Sequence, residues 1–410
     1  MKHFLNPKSI AIIGASDSPG KVGHSLMENL LKFKGKIIPI NLNKDSIFGI
    51  KAYKKIRDYP EKIELAVIAI PAPYVASELE ECGKKRVKNV IVISAGFSET
   101  GDSKGEKQLI EICKKYNIKM LGPNCFGVAN PYNDLNATFA MSSTKKGNIA
   151  FISQSGALWS YISDFSIGKF GFSGFVSLGN MACIDFSDFI NYFSKDPKTK
   201  TIILYVEKLK EGKRFIDVCK KSKKKIFAVK AGSSKEGSEA AISHTGSLAT
   251  DFEIYKGAFK QSGVILCESL IQCFEKALKR KLVSNRKKIK LAEKVSIITN
   301  AGGAGALASD YLANKKIKVS APIDLLGAAL ANDYKEAINK TNGAIIVILT
   351  PQKMSEIDKT AEVIIKSRKK IIACFLGGKS VEKACKLLEK NKIPCFRTLE
   401  QFRNSIQLNE

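Results

Sequence analysis

The stretch IAIIGASDSPGKVGHSLMENL, residues 10 to 30, opens with an unbroken apolar run, turns on small residues and continues with helical period. A continuous apolar run of this length predicts a strand covered on both faces, as in a parallel sheet packed by helices. The turn supplies Gly14, Ala15, Ser16, Gly20, Lys21 and Gly23, where backbone N–H groups and a helix N-terminus can hold a phosphate. The spacing departs from GxGxxG. The next strand ends in PINLNK, offering Asn41, Asn43 and Lys44 in place of a carboxylate for a ribose, which disfavours NAD. A glycine turn after a first strand can also serve tight packing alone.

The same theme recurs outward from this stretch. SIAIIGAS, GKIIPINL, LAVIAIPAP, NVIVISAG and KMLGPNC give five strand candidates and predict a Rossmann-like domain over residues 1–140. GNIAFISQSG, GFSGFVSLGN, TIILYVE, KIFAVKAG and GVILCES predict a flavodoxin-like unit over 146–280. The polar run KRKLVSNRKKIKLAEK marks a linker at 281–294 that packs into neither neighbour. KVSIITNAGGAG, GAIIVILTPQ, KIIACFLGG and IPCFRTLEQF then predict a second flavodoxin-like unit over 295–410, too short for a full doubly wound sheet.

Length and composition agree with several compact α/β units. The chain has 410 residues, 44% apolar and 26% charged, enough to fill cores and without the signature of disorder. It shows no leader-like start and no run of about 18 apolar residues, so no membrane segment is expected and a cytoplasmic location is. Ten cysteines without a CxxC pair read as buried thiols, and no metal site is expected. The net charge of +28 would suit nucleic acid. The excess is lysine spread along the helices, with no basic stripe interleaved with aromatics, so no nucleic-acid partner is expected.

Small, turn-forming residues close several strands: IPAP with Pro71 and Ala72, SAGFSE with Ser94 and Gly96, and GPNCFG with Asn124. In doubly wound sheets these carboxyl ends line the ligand crevice. FISQSGALW places Ser153, Gln154, Ser155 and Gly156 between a strand and a helix, a position that favours a phosphoryl group. His244 lies in AAISHTGSLA among small polar residues, and Glu207 ends TIILYVE. TNAGGAG, with Gly302 and Gly303, and LTPQKMSE are two further turns of the phosphate-holding type, and the sequence does not rank them.

The order GAS with PGKVG, then ISAGFSE, then GPNCFGVANPYNDLNATFA, then SEAAISHTGSLA resembles the CoA-binding subunits of ADP-forming acyl-CoA synthetases, relatives of succinyl-CoA ligase. The resemblance spans nearly the whole chain. It implies a CoA-binding domain on Gly14, Ala15, Ser16, Lys21, Gly23, Pro71, Ala72, Ser94, Gly96 and Asn124, followed by two succinyl-CoA ligase-like domains. It implies that His244 accepts and passes on a phosphoryl group, that Glu207 orients it, and that Ser153, Ser155, Gly156, Gly302 and Gly303 hold phosphate. Lys208 stands where the family commonly has glycine. Residues 313–333 are shorter than usual, which puts the third domain's catalytic part in question. With no P-loop and no ATP-grasp unit, ATP or ADP with Mg2+ is expected on an ATP-grasp beta subunit, giving a hetero-oligomer. The rivals are a non-catalytic CoA-binding or acyl-CoA-sensing protein, and a subunit specific for succinate.

Overall fold

The computed structural model describes residues 1–245, 251–284 and 288–407, with the side chains of 242–245 left outside that description. Its first sheet has five parallel strands in the order Lys36–Ile40, Ser9–Ile13, Leu65–Ile68, Asn89–Val92, Lys119–Leu121. The central strands are buried along their whole length, the result the unbroken apolar runs predict. Tyr53 extends the sheet past Lys36–Ile40 through a parallel bridge to Ile40, a remnant of the outer strand of a Rossmann-like sheet. Strand order reverses between Ser9–Ile13 and Leu65–Ile68, so the crevice opens at their carboxyl ends.

The second sheet runs Ile265–Leu266, Lys225–Lys230, Thr201–Val206, Lys146–Ser153, Phe172–Ser177 in parallel, the flavodoxin order. Two antiparallel strands, Gly127–Asn130 and Leu135–Thr138, complete it. The sequence reading puts these residues in the first unit. The structure places their backbone hydrogen bonds in the second, because the apolar strand Phe172–Ser177 would otherwise leave an open edge. The hairpin also joins the two units: Val128, Leu135 and Ala137 share one buried cluster with Ile10, Leu26 and Val176.

The third sheet has the same order again, with Lys318–Val319 and Ile323–Asp324 sharing the edge beside Lys294–Thr299, followed on the other side by Ala344–Leu349, Ile371–Phe375 and Cys395–Phe396. All five strand positions are filled. Residues 313–333, which read as too short to complete the sheet, supply its edge: Lys318–Val319 and Ile323–Asp324 both pair with Lys294–Thr299 before the helix Ala331–Lys340. The polar stretch 281–294 is also less free than its composition suggests. Leu291 is buried, Leu282, Val283 and Ile289 pack on the core shared by the second and third sheets, and Ile289–Lys290 pairs with Ile406–Gln407. Its apolar residues are too few to register as a period, yet these four pack on one core. Among the described residues no helix is long and apolar enough to cross a membrane.

Candidate functional site

The first-domain turn is built by close backbone approach. Gly14 has a φ of +90°, and a Cβ there would lie 2.4 Å from the Ala69 carbonyl oxygen. A Cβ on Gly23 would lie 1.9 Å from the Gly14 carbonyl oxygen, so the helix Val22–Leu30 begins directly on the turn. Ala15 and Ser16 are buried, and Ser16 Oγ accepts a hydrogen bond from Ser18 N at 3.0 Å. Asn41 braces the turn from the next strand, its Nδ2 donating to Ala15 O at 2.8 Å. Lys21 is exposed at the helix start, free to reach an anion.

The other first-domain residues lie around the same carboxyl edge. Pro71 caps and Ala72 begins the helix Ala72–Lys84. Ser94 Oγ donates to Ile70 O at 2.5 Å, and Asn124 N donates to Ser94 O at 2.9 Å, which ties three strand ends together. Gly96 has a φ of +105° and donates its N–H to Glu99 Oε1 at 2.6 Å. The second domain closes one side. Asn180 Nδ2 donates to Glu99 Oε2 at 2.6 Å and Glu106 Oε2 at 2.8 Å, while Asn124 Nδ2 donates to Asn180 Oδ1 at 3.3 Å.

The expected phosphate residues come together from two domains. Gly156 precedes the helix Ala157–Ser166, and Gly302 and Gly303 begin the helix Gly302–Ala313. The two N-termini meet: a Cβ on Gly303 would lie 2.7 Å from Ser155 Cβ and 2.7 Å from the Tyr205 hydroxyl oxygen. Tyr205 donates to Gly303 O at 3.1 Å, and Ser153 Oγ donates to Ser155 O at 2.6 Å. Two positive helix ends brought together in this way favour an anion beside them. The turn at LTPQ instead supports this approach from behind: Thr350 N donates to Asn300 Oδ1 at 2.9 Å, and Asn300 Nδ2 donates to Gln352 Oε1 at 2.9 Å. Gln352 is fully buried, so TNAGGAG is the turn that faces Ser155.

Glu207 follows the strand Thr201–Val206 and is 9% exposed. Gln154 Oε1 accepts from Glu207 N at 2.7 Å and Lys208 N at 2.8 Å, fixing the strand end. Glu207 Oε1 is buried and makes no hydrogen bond among the described residues. Burial, and then the Glu207 charge, push the Tyr205 phenol well above its ordinary range. The His244 side chain lies outside the described residues; the backbone of the helix Lys235–Thr245 that carries it packs on Gly302–Ala313 and reaches the turn Ser98–Thr100 of the first domain.

Sequence reasoning missed three buried charged groups. Lys230 ends its strand beside Val206, is 7% exposed, and lies 4.5 Å from the Tyr255 ring centroid. Burial lowers its pKa to about 8, against the attraction of Asp310 and Glu207. Asp164 and Asp310 sit in the two helices whose N-termini meet. Their signal was a carboxylate inside an apolar helical run, SYISDF and ALASDY, which only an interdomain partner explains.

Residues 8–131 match the family model of a CoA binding domain, and residues 146–278 match that of the succinyl-CoA ligase-like flavodoxin domain. Over 98% of its length the chain is 39% identical to the alpha subunit of ADP-forming acetate–CoA ligase II from Pyrococcus furiosus, of which it covers 95%. It is 42% identical to the ADP-forming acetate–CoA ligase of Methanocaldococcus jannaschii over 98% of this chain, and spans 61% of that longer protein. A solved structure of the dinucleotide-forming acetyl-coenzyme A synthetase 1 of Ca. Korarchaeum cryptofilum, in complex with phosphate and ADP, superposes with a TM-score of 0.66 at 34% identity, covering 98% of this chain and 95% of that one. The two crevices, their order along the chain and this end-to-end similarity make the chain a member of the family of ADP-forming acetate–CoA ligase alpha subunits.

Proposed function

We propose that this chain is the CoA-binding, phosphoryl-relaying subunit of an ADP-forming acyl-CoA synthetase, catalysing acid + ATP + CoA = acyl-CoA + ADP + phosphate with an ATP-grasp beta subunit. The observation that carries this reading is the apposition of Ser155 and Gly303, which brings two helix N-termini together where the second and third domains meet. In the direction of ATP synthesis, phosphate held there by Ser153, Ser155, Gly156, Gly302 and Gly303 attacks the acyl carbonyl of acyl-CoA. The C–S bond breaks, CoA leaves as the thiolate, and an acyl phosphate remains.

His244 then attacks phosphorus through a neutral ring nitrogen, and the P–O bond to the acyl group breaks, releasing the carboxylate. Glu207, with one oxygen that makes no hydrogen bond among the described residues, suits the role of orienting the imidazole and balancing its charge. The phosphoryl group passes from His244 to ADP on the partner subunit, with Mg2+ held there. CoA would lie along the first crevice, its phosphates on the turn from Gly14 to Gly23 and its thiol toward Asn124. Such an enzyme works in the cytoplasm, where CoA and ADP are found.

The test is phosphoenzyme labelling. With a beta subunit and labelled ATP, the wild-type chain takes up acid-labile, base-stable label and His244→Ala takes up none, while both bind CoA equally in calorimetry. Equal labelling of the two chains would overturn the role given to His244. CoA binding without turnover for any acid tested would favour the sensing module.

A further inference from the structure

We propose that Asp164 and Asp310 are paired positioning residues: each reaches from its own domain to hold a loop of the other, and together they set how closely the two facing helix N-termini approach. Asp310 also fixes the root of the helix that carries His244. This rests on the phosphoryl-relay reading above.

The second and third domains meet head to head using the same parts. Ser153 to Asp164 and Thr299 to Asp310 each span eleven positions, from the end of the first strand into the following helix. Ser153 Oγ donates to Ser155 O at 2.6 Å, and Thr299 Oγ1 donates to Ala301 O at 3.1 Å. Gln154 Oε1 accepts from Glu207 N as Asn300 Oδ1 accepts from Thr350 N, each just past the third strand.

The two carboxylates then cross the interface in the same pattern. Asp310 accepts from Gly232 N, Ser234 N and Ser234 Oγ, all at 2.8 Å. Asp164 accepts from Gly378 N at 2.6 Å and from Ser380 Oγ at 2.7 Å, with Ser380 N at 3.2 Å. In both loops a glycine and the serine two residues later are the donors, immediately after the fourth strand. The fit admits no side chain: a Cβ on Gly237 would lie 1.9 Å from Asp310 Oδ1, and one on Gly377 2.7 Å from Asp164 Oδ2.

Asp310 is 2% exposed and Asp164 is fully buried. Apolar side chains would give adhesion without the cost of desolvating two charges. What two multiply hydrogen-bonded carboxylates add is direction: each fixes its partner loop through charge-assisted bonds to backbone N–H groups. Ser234 Oγ also accepts from Gly237 N at 3.0 Å, so the loop held by Asp310 continues directly into the helix Lys235–Thr245. Burial raises the Asp310 pKa, and the same backbone and hydroxyl donors oppose the rise.

The test compares Asp310→Asn and Asp164→Asn in the full chain with its beta subunit. Asn keeps the shape but turns one acceptor into a donor facing an N–H. Hydrogen–deuterium exchange reads the clasp without activity: Asp310→Asn should speed exchange in 231–241 and Asp164→Asn in 377–381, at least about tenfold over wild type. Both should slow single-turnover labelling of His244 from acetyl-CoA and labelled phosphate by about tenfold or more, with CoA affinity unchanged. Ser380→Ala, a milder cut in the same clasp, should show a smaller shift of the same kind if an Asp variant fails to fold. Unaltered exchange in both loops would overturn the clasp, and altered exchange with wild-type labelling rates would overturn its positioning role. Failure of the wild-type chain to label at all would instead overturn the phosphoryl-relay reading, while exchange still decides the clasp.

Discussion

Replacing Gly303 by alanine tests whether the approach of the second and third domains at Ser155 is held at a fixed spacing. The new Cβ would sit 2.7 Å from Ser155 Cβ and 2.7 Å from the Tyr205 hydroxyl oxygen. Carbon atoms attract at about 3.5 Å, so the contact is about 0.8 Å too short. Neither neighbour can turn away cheaply, because Ser155 is buried in its turn and Tyr205 is fully buried with its hydroxyl committed to Gly303 O at 3.1 Å. The helix Gly302–Ala313 must therefore back away from Ala157–Ser166. Overpacking of this kind costs about 1–3 kcal/mol. The helix-propensity gain of alanine, at most about 1 kcal/mol, offsets part of it. The expected net loss is about 1–2 kcal/mol in urea denaturation. A displacement approaching 1 Å at the reacting centre should lower phosphate-dependent turnover by about ten- to a hundredfold, with CoA affinity unchanged. A variant as stable as wild type with unchanged phosphate-dependent turnover would refute the reasoning that Gly303 sets the spacing.

Gly257 is the matched control, since a Cβ there meets nothing within 4 Å in the helix Phe252–Ser262. Gly257→Ala should raise stability by up to about 1 kcal/mol without changing turnover, and a loss in urea denaturation would contradict the helix there. Gly23→Ala puts a Cβ 1.9 Å from the Gly14 carbonyl oxygen, backbone against backbone. CoA affinity by calorimetric titration should fall at least about tenfold, and an unchanged affinity would remove this turn from the CoA site. Lys230 has its pKa lowered from the ordinary 10.5 to about 8 by burial. Below pH 8 folded and unfolded chains are both protonated there. Between about 8 and 10.5 only the unfolded chain holds the proton, so stability rises with pH, by about 3 kcal/mol in all. Subtracting Lys230→Met denaturation curves from wild type over that range should isolate the rise, and parallel curves would show that the amine titrates normally.

The sequence by itself determined the α/β class, the strand cores and the turns that close them, because a parallel strand buried on both faces leaves an unbroken apolar run that needs no partner to be recognised. It also proposed the candidate residues, through motifs such as SEAAISHTGSLA whose likeness to a family is local. Which edge the hairpin Gly127–Thr138 would cover could not be read there: its residues suit either sheet, and the choice follows from the open edge at Phe172–Ser177. Residues 281–294 looked like a free linker because their few apolar side chains find a common face only against the core. The sheet of the third domain is complete although its sequence looked too short, because two-residue strands suffice to fill an edge and strand pairing depends on edges in space, not on loop length. TNAGGAG and LTPQKMSE were alike as turns; the approach of Ser155 to Gly303 put one in front and left the other as its support. Asp164 and Asp310 carry the same lesson. A carboxylate in an apolar helix signals a buried partner, but backbone N–H groups more than 70 residues away in sequence are a partner that only the tertiary structure can supply.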